Sequence, residues 1–227
     1  MASFNIHAGH GKQDSKSCGA IGFIRESVEN RLVKDEVIRL LKVEGHTVYD
    51  CTVDYPNDKS DCVNKQVANC NRNKVDLAVS IHFNSGAKDA TGNNKTTGVE
   101  VLVANKTGSK QAYANRVCES ISKLGYKNRG VKVVSNLGYL NRSSNQCILI
   151  ECCFVDDKDD VKIYNYKTMA KAIVEGILDK KLGNTDSKNL VYQVVCGSYS
   201  NKVNAENMKS QLEKAGFKDV FLEANYK

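Results

Sequence analysis

The sequence predicts an α/β fold: a mostly parallel, twisted sheet with helices on both faces, followed by a small βαβ unit. Short apolar runs rich in β-forming residues alternate with longer stretches of helical periodicity, the pattern of a sheet whose crossovers are helices. The 227 residues, 41% of them hydrophobic, suffice for one full domain and a small appendage. A single proline, Pro56, and scattered glycines separate the elements.

The elements follow in order. Phe4-Asn-Ile-His opens the chain as a strand and runs into the turn Gly9-His10-Gly11. From 25 to 43, Val28, Leu32, Val37, Ile38, Leu40 and Leu41 recur at near-helical spacing, and Glu44-Gly45-His46 ends that helix. A strand over 47–53 follows, then a helix over 59–73 leading into a strand over 76–83. The alternation in Gly98-Val-Glu-Val-Leu-Val103 reads as a strand, 109–124 as an amphipathic helix and 130–134 as another strand. Cys147-Ile-Leu-Ile150 is continuously apolar, as expected of a strand buried on both faces. A helix over 167–182 closes this part, so the first domain is expected to span 1–182.

Composition narrows the function classes. No apolar run approaches the ~20 residues needed to span a membrane, so no membrane insertion is expected. The first residues enter a strand without the basic and apolar regions of a signal peptide, which places synthesis in a cytoplasm. Nine cysteines there read as thiols, mostly small buried hydrophobes; no C-x-x-C pair exists to make a metal cluster. The net charge of +7 favours an anionic partner, and without aromatic or arginine-rich interleaving that partner is not nucleic acid.

In parallel sheets, ligands bind at the carboxyl ends of the strands. His10, His82 and Glu151 all fall just after expected strands, His82 within Ala78-Val-Ser-Ile-His-Phe-Asn84. Glu26 lies at the entrance to the first helix, where the loop before it can fold its side chain back toward His10. Two neutral imidazoles and one carboxylate leave a fourth position on Zn2+ for water, the arrangement of a catalytic site. The metal lowers the pKa of that water and polarises a carbonyl, and Glu151 serves as general base and then general acid. The chemistry implied is amide hydrolysis. Each residue also has a structural reading. His82 alone fits a hydrogen-bonded core histidine, and Glu26 or its neighbour Glu29 fits a favourable charge at a helix N-terminus. His46, at a helix-to-strand turn, is structural. An acid at the end of the most apolar strand, by contrast, is costly to bury without a partner.

Together these residues resemble the zinc-dependent N-acetylmuramoyl-L-alanine amidases of the amidase-3 type. The resemblance is carried by Gly9-His10-Gly11, Gly19-Ala20, Glu26 with Asn30, Ser80-Ile81-His82-Phe83-Asn84, and Ile148-Leu-Ile-Glu151 with Phe154, across residues 4–181. It implies His10, Glu26 and His82 as zinc ligands and Glu151 as the catalytic carboxylate. It selects Glu26 over Glu29. The bond cut joins N-acetylmuramic acid to the L-alanine of the stem peptide in bacterial peptidoglycan. His7-Ala8, Lys12 and Cys152-Cys153 depart from the family pattern. Positions 7 and 10 differ by an odd number and face opposite ways along a strand, so either His7 or His10 faces the metal. The glycine-flanked His10 matches the motif, which makes His7 a buried neighbour.

Two further segments flank this site. The polar stretch 88–97 reads as a surface loop placed for substrate contact, and Asp156-Asp157-Lys-Asp-Asp160 as a solvated helix start. Beyond 182, the polar residues 183–189 read as a linker. Residues 190–227 then give a strand over 191–200, a helix over 205–215 and a strand over 219–223. Tyr192-Gln-Val, Gly197-Ser-Tyr, Asn204-Ala-Glu206, Leu212 and Gly216-Phe217 resemble the start of a SPOR domain, a peptidoglycan-binding module. One βαβ unit is half of such a module and has an unpaired edge, which predicts a homodimer through 190–227. The expected protein is thus a wall-lysing amidase, acting after release as a phage endolysin through a holin pore or as a mother-cell autolysin. The competing readings are a non-catalytic wall-binding protein with a degenerate site and a zinc hydrolase of another amide.

Overall fold

A computed structural model of the chain describes residues 1–183, 197–218 and 220–222. The linker expected over 183–189 and the strand expected over 191–200 fall mainly outside these residues, whereas residues 220–222 of the strand expected over 219–223 are described and form no strand. By its contacts the chain divides into two units, Met1–Thr185 and Asp186–Lys227.

The first unit is a six-stranded sheet, with strands β1 (Ser3–Ala8), β2 (Thr47–Asp50), β3 (Leu77–Asn84), β4 (Val99–Val103), β5 (Asn128–Val133) and β6 (Cys147–Phe154). Their order is β2-β1-β3-β6-β4-β5, with every neighbouring pair parallel except β4 against β6. The expected mostly parallel α/β architecture is therefore the observed one. Helices α1 (Glu26–Val43), α2 (Lys59–Asn71), α3 (Lys110–Ser122), α4 (Gly138–Arg142), α5 (Lys158–Lys162) and α6 (Tyr166–Leu178) complete the unit.

Local chemistry explains where these helices begin. Glu26 and Glu29 place negative charge in the first turn of α1, where the helix dipole favours it. Asp58 caps α2 by accepting the Asp61 amide at 2.8 Å, and Asn165 caps α6 through the amides of Lys167 and Thr168. One face of the sheet is covered by α1, α3 and α6, whose Val33, Val37, Leu41, Val117, Ile121, Met169 and Ile173 pack on Ile6, Val79, Ile81, Val101, Ile148 and Ile150. The other face, beneath α2 and α4, carries a smaller cluster of Cys51, Cys70, Tyr139, Leu140, Cys147 and Leu149. The central β6 is buried on both faces over Cys147–Ile150, as its unbroken apolar run requires. The carboxyl ends of β1, β3 and β6 lie side by side, which brings their terminal residues together.

Seven of the eight described cysteines are buried free thiols, and Cys18 is partly exposed. No helix among the described residues is long and apolar enough to cross a membrane. In the second unit, α7 (Lys202–Lys214) begins at Asn201, whose side chain accepts the Val203 amide at 2.8 Å. Val203, Phe217, Phe221 and Leu222 of that unit are exposed.

Candidate metal centre

His10, Glu26 and His82 converge, each offering a ligand atom within 4.8 Å of the others. His82 comes from β3 and pairs in register with Glu151 of β6, which in turn faces Glu100 of β4. His10 reaches the group because the chain leaves β1 through a turn in which His10 itself takes the left-handed conformation, φ 57°. That conformation is costly for a residue with a side chain, and such strain concentrates at functional sites. Three contacts hold it. Asn30 donates to the Gly9 carbonyl at 2.7 Å, Arg31 donates to the His10 carbonyl at 3.3 Å, and the Gly9 amide donates to the Ile81 carbonyl at 2.8 Å.

Two glycines make room for this assembly. A Cβ at Gly9 would lie 2.1 Å from the His82 ring. One at Gly19, whose φ is 76°, would lie 2.5 Å from Glu26 Oε2. The carboxylate and imidazoles therefore occupy the space that any larger residue would need.

Glu26 is 2% exposed and is fixed at both oxygens. Oε1 lies 2.9 Å from His82 Nδ1 and accepts the Phe83 amide at 3.2 Å; Oε2 accepts the Ala20 amide at 2.8 Å and lies 3.6 Å from His10 Nε2. Burial alone would raise its pKa, but the His82 hydrogen bond and the charges of His82 and His10 outweigh it and hold the carboxyl below its usual range. Burial, followed by the neighbouring His82, lowers His10 to about 4, which leaves its lone pair free. Glu29, the alternative acid, turns away and accepts the Tyr164 hydroxyl at 3.0 Å.

Glu151 stands apart from this group electrically. Burial pushes its pKa up to about 7 against the pull of His82, and its Oε2 is buried without a hydrogen-bond partner. Beside it, Asn84 donates to Glu100 at 2.9 Å, and Glu100 accepts Arg129 Nε at 2.9 Å. His10, Glu26, His82, Asn84 and Glu151 line a cavity of about 570 Å³ together with Lys16, Cys18 and Lys59. The donor set of two imidazole nitrogens and a carboxylate, already gathered and desolvated, fits a zinc ion.

His7 is placed elsewhere. It is fully buried on the opposite side of β1, where its ring meets Tyr139 edge-on at 4.5 Å. His46 is structural, accepting the Ala2 amide at 3.1 Å and packing on Phe4.

The solvated helix start expected at Asp156–Asp160 is corrected by the structure, since Asp157 and Asp160 are fully buried. Their carboxylates clamp the polar loop after β3. Asp156 accepts the amides of Gly86, Ala87 and Lys88, Asp157 that of Thr97, Asp159 those of Asn93 and Lys95, and Asp160 that of Gly98. Asp89, Asp157 and Asp159 also approach one another closely; backbone amides engage Asp89 Oδ1, both oxygens of Asp157 and Asp159 Oδ2, while Asp89 Oδ2 is buried without a hydrogen-bond partner. The loop that borders the cavity is thus held by its backbone. Alternating acids after a buried strand were the only trace of this in the sequence. Lys16 and Lys59 left no trace, because their wall forms only when Pro56 meets the turn at Gly11.

This mostly parallel sheet, with two histidines and two glutamates gathered at adjacent strand ends, defines an α/β protein with a candidate metal centre. The chain belongs to the N-acetylmuramoyl-L-alanine amidase family, whose model matches residues 5–180. Among solved structures it resembles the catalytic domain of an endolysin targeting Clostridium difficile, with 27% identity, a TM-score of 0.71, and coverage of 81% of this chain and 100% of that one. It also resembles an N-acetylmuramoyl-L-alanine amidase from Clostridium difficile 630, with 25% identity, a TM-score of 0.63, and coverage of 82% and 98%. An uncharacterised protein of Clostridium perfringens is 34% identical over 181 residues, which is 78% of this chain and 52% of that protein. The chain spans about half the length of the curated relatives it matches.

Proposed function

We propose that this chain hydrolyses the amide between N-acetylmuramic acid and the L-alanine of the stem peptide in bacterial peptidoglycan, with Zn2+ held by His10, Glu26 and His82. The observation that carries the reading is the convergence of those three side chains beside the unpartnered Glu151 on the floor of one cavity. Zinc, when bound, supplies Lewis acidity for a water and for the substrate carbonyl. Glu151 takes a proton from the attacking water and returns it to the departing amine of L-alanine. Asn30 and Arg31 keep the His10 turn in place, and the Asp156–Asp160 clamp keeps the bordering loop ordered while substrate binds.

Digestion of purified cell wall with the full chain tests this. New L-alanine amino termini are expected without new reducing sugar ends, and chelation is expected to stop their release. New reducing ends, or release of other amino termini, would overturn the reading.

In the same reading, residues 1–182 are the catalytic domain and 190–227 a partial SPOR-like, wall-binding unit that pairs with a second copy. The exposed Val203, Phe217, Phe221 and Leu222 support such pairing. Sedimentation showing only monomer at micromolar concentration would refute it. The proposed setting is the bacterial wall, reached after release from a cytoplasm in phage lysis or mother-cell lysis. The charge of +7 suits an anionic wall. Lysis by added protein, with none retained by an uncharged polysaccharide, is the expected behaviour.

A further inference from the structure

The cavity over the metal centre is electrically lopsided. One wall is built by the loop after Gly11 and by the segment leading into α2. Lys12 donates its amide to the Asp54 carbonyl at 2.7 Å, and Gly11 sits so close to Ser15 and Pro56 that no Cβ fits. This packing brings Lys16 and Lys59 to the same rim, and both line the cavity. Both are exposed, and neither takes part in an ion pair or side-chain hydrogen bond among the described residues. The other lysines and arginines near this wall are engaged. Arg31 pairs with Asp54 at 2.9 Å, Lys34 with Asp50 at 2.7 Å, Lys65 with Asp61 at 2.7 Å, and Lys12 lies over the Tyr55 ring.

Lys59 is also the first residue of α2, where the helix dipole disfavours a cation. Neither nearby acid pairs with it: Asp58 accepts the Asp61 amide, and Asp61 the Asn57 amide and Lys65. The opposite wall is formed by Phe83, Asn84 and Ser85 and carries no charged side chain of its own. A carboxylate at the peptide side of the cavity is drawn to the Lys16–Lys59 wall rather than to this neutral one.

We propose that Lys16 and Lys59 bind the free carboxylate of the residue that follows L-alanine, so that the enzyme prefers stem peptides whose second residue is an acid rather than its carboxamide. The inference rests on the amidase reading and deepens it by naming the substrate class. A carboxylate one residue beyond the scissile amide lies within roughly 7 Å of it, the reach of two extended residues. Lysine rims can span that distance without touching the metal ligands. The peptide arm then crosses the Lys16–Lys59 wall, and the neutral glycan arm lies along the loop after β3.

The test uses the full chain and two soluble muramoyl dipeptides whose second-residue γ-carboxyl is capped as a methylamide. They differ only in the α-group of that residue, the free acid of D-glutamate or the carboxamide of D-isoglutamine. For the wild type, KM is expected to be about tenfold lower for the acid. In the K16A/K59A variant the acid's KM rises to that of the amide, while kcat and the amide's KM stay within twofold; Lys59→Arg restores part of the preference. Calorimetric binding of both dipeptides gives the same comparison without turnover. Equal affinity for acid and amide in the wild type, or a preference that survives in K16A/K59A, overturns the proposal. If the wild type binds the acid tighter through these lysines but cleaves neither dipeptide, the amidase reading fails while this inference stands.

Discussion

Two histidines three residues apart, His7 within β1 and His10 in the turn that follows it, meet opposite fates. His10 swings out of β1 through a left-handed turn into an open cavity, beside a carboxylate and a second imidazole. His7 stays in the strand and points under α2 and α4 into a sealed cluster with Tyr139, Cys70 and Cys147. Both are held well below the usual histidine pKa by burial, to about 4 and about 3. What separates them is access and company. His10 has a charged partner 3.6 Å away and space above it, whereas the Nε2 of His7 is buried with no partner at all. A desolvated imidazole is therefore not a site by itself; the neighbouring acid and the cavity make it one.

The strongest way to break that comparison is to remove the acid. Glu26→Gln is expected to lose bound zinc and more than about 1000-fold of amide cleavage, with its circular dichroism unchanged, since ligand loss removes the chemistry the site supplies. Glu29→Gln, one turn along α1, should keep both within about twofold. Metal content and rate measured on the pair check this, and equal losses in the two variants would show that the acid has been misassigned.

Next in size is Gly9→Ala. A methyl there overlaps the His82 ring, so the imidazole must move. A loss of about 100-fold or more in kcat/KM is expected, consistent with the cost of misplacing a catalytic group by about 1 Å. Retention of full activity would show that His82 has another acceptable position.

The sealed histidine should respond to pH and not to substrate. Burial, opposed by the Ala8 carbonyl hydrogen bond, places its folded pKa near 3, below the unfolded 6.5. The folded state therefore binds fewer protons than the unfolded state between those values. His7 contributes stability above pH 6.5 and loses it as pH falls toward 3, on the order of 5 kcal/mol in total. In His7→Phe, thermal unfolding followed from pH 7 to pH 4 should show a flatter acid arm, with cleavage at pH 7 within about twofold of wild type. The smallest effect is expected for Tyr139→Phe, which removes only the 3.7 Å hydroxyl contact with Cys70 and should cost about 1 kcal/mol with no change in rate.

Much of this was legible in the sequence because the physics is local. Apolar runs marked all six strands, and the continuous run at Cys147–Ile150 marked the doubly buried one. Periodicity placed α1, α2, α3 and α6 to within a few residues, and the glycine-flanked His10 and strand-end His82 and Glu151 followed from those elements. Nonlocal features were not legible. The antiparallel pairing of β4 with β6 sets Glu100 against Glu151, and no run of residues encodes which strands become neighbours. The acids at 156–160 looked like a solvated helix start because nothing near them in sequence shows that their partners are backbone amides some 60 to 70 residues upstream. The choice between Glu26 and Glu29 needed the resemblance, since both suit a helix N-terminus; in the fold, Tyr164 engages one and the two histidines the other.

The central claim is that His10, Glu26 and His82 hold the metal while Glu151 moves the proton. Zinc content and release of L-alanine amino termini, measured together on the wild type and Glu151→Gln, test it most directly. The account predicts one zinc per chain in both proteins, with release lowered by about 100-fold or more in Glu151→Gln. Undiminished release by Glu151→Gln, or full activity in zinc-free wild type, would contradict it.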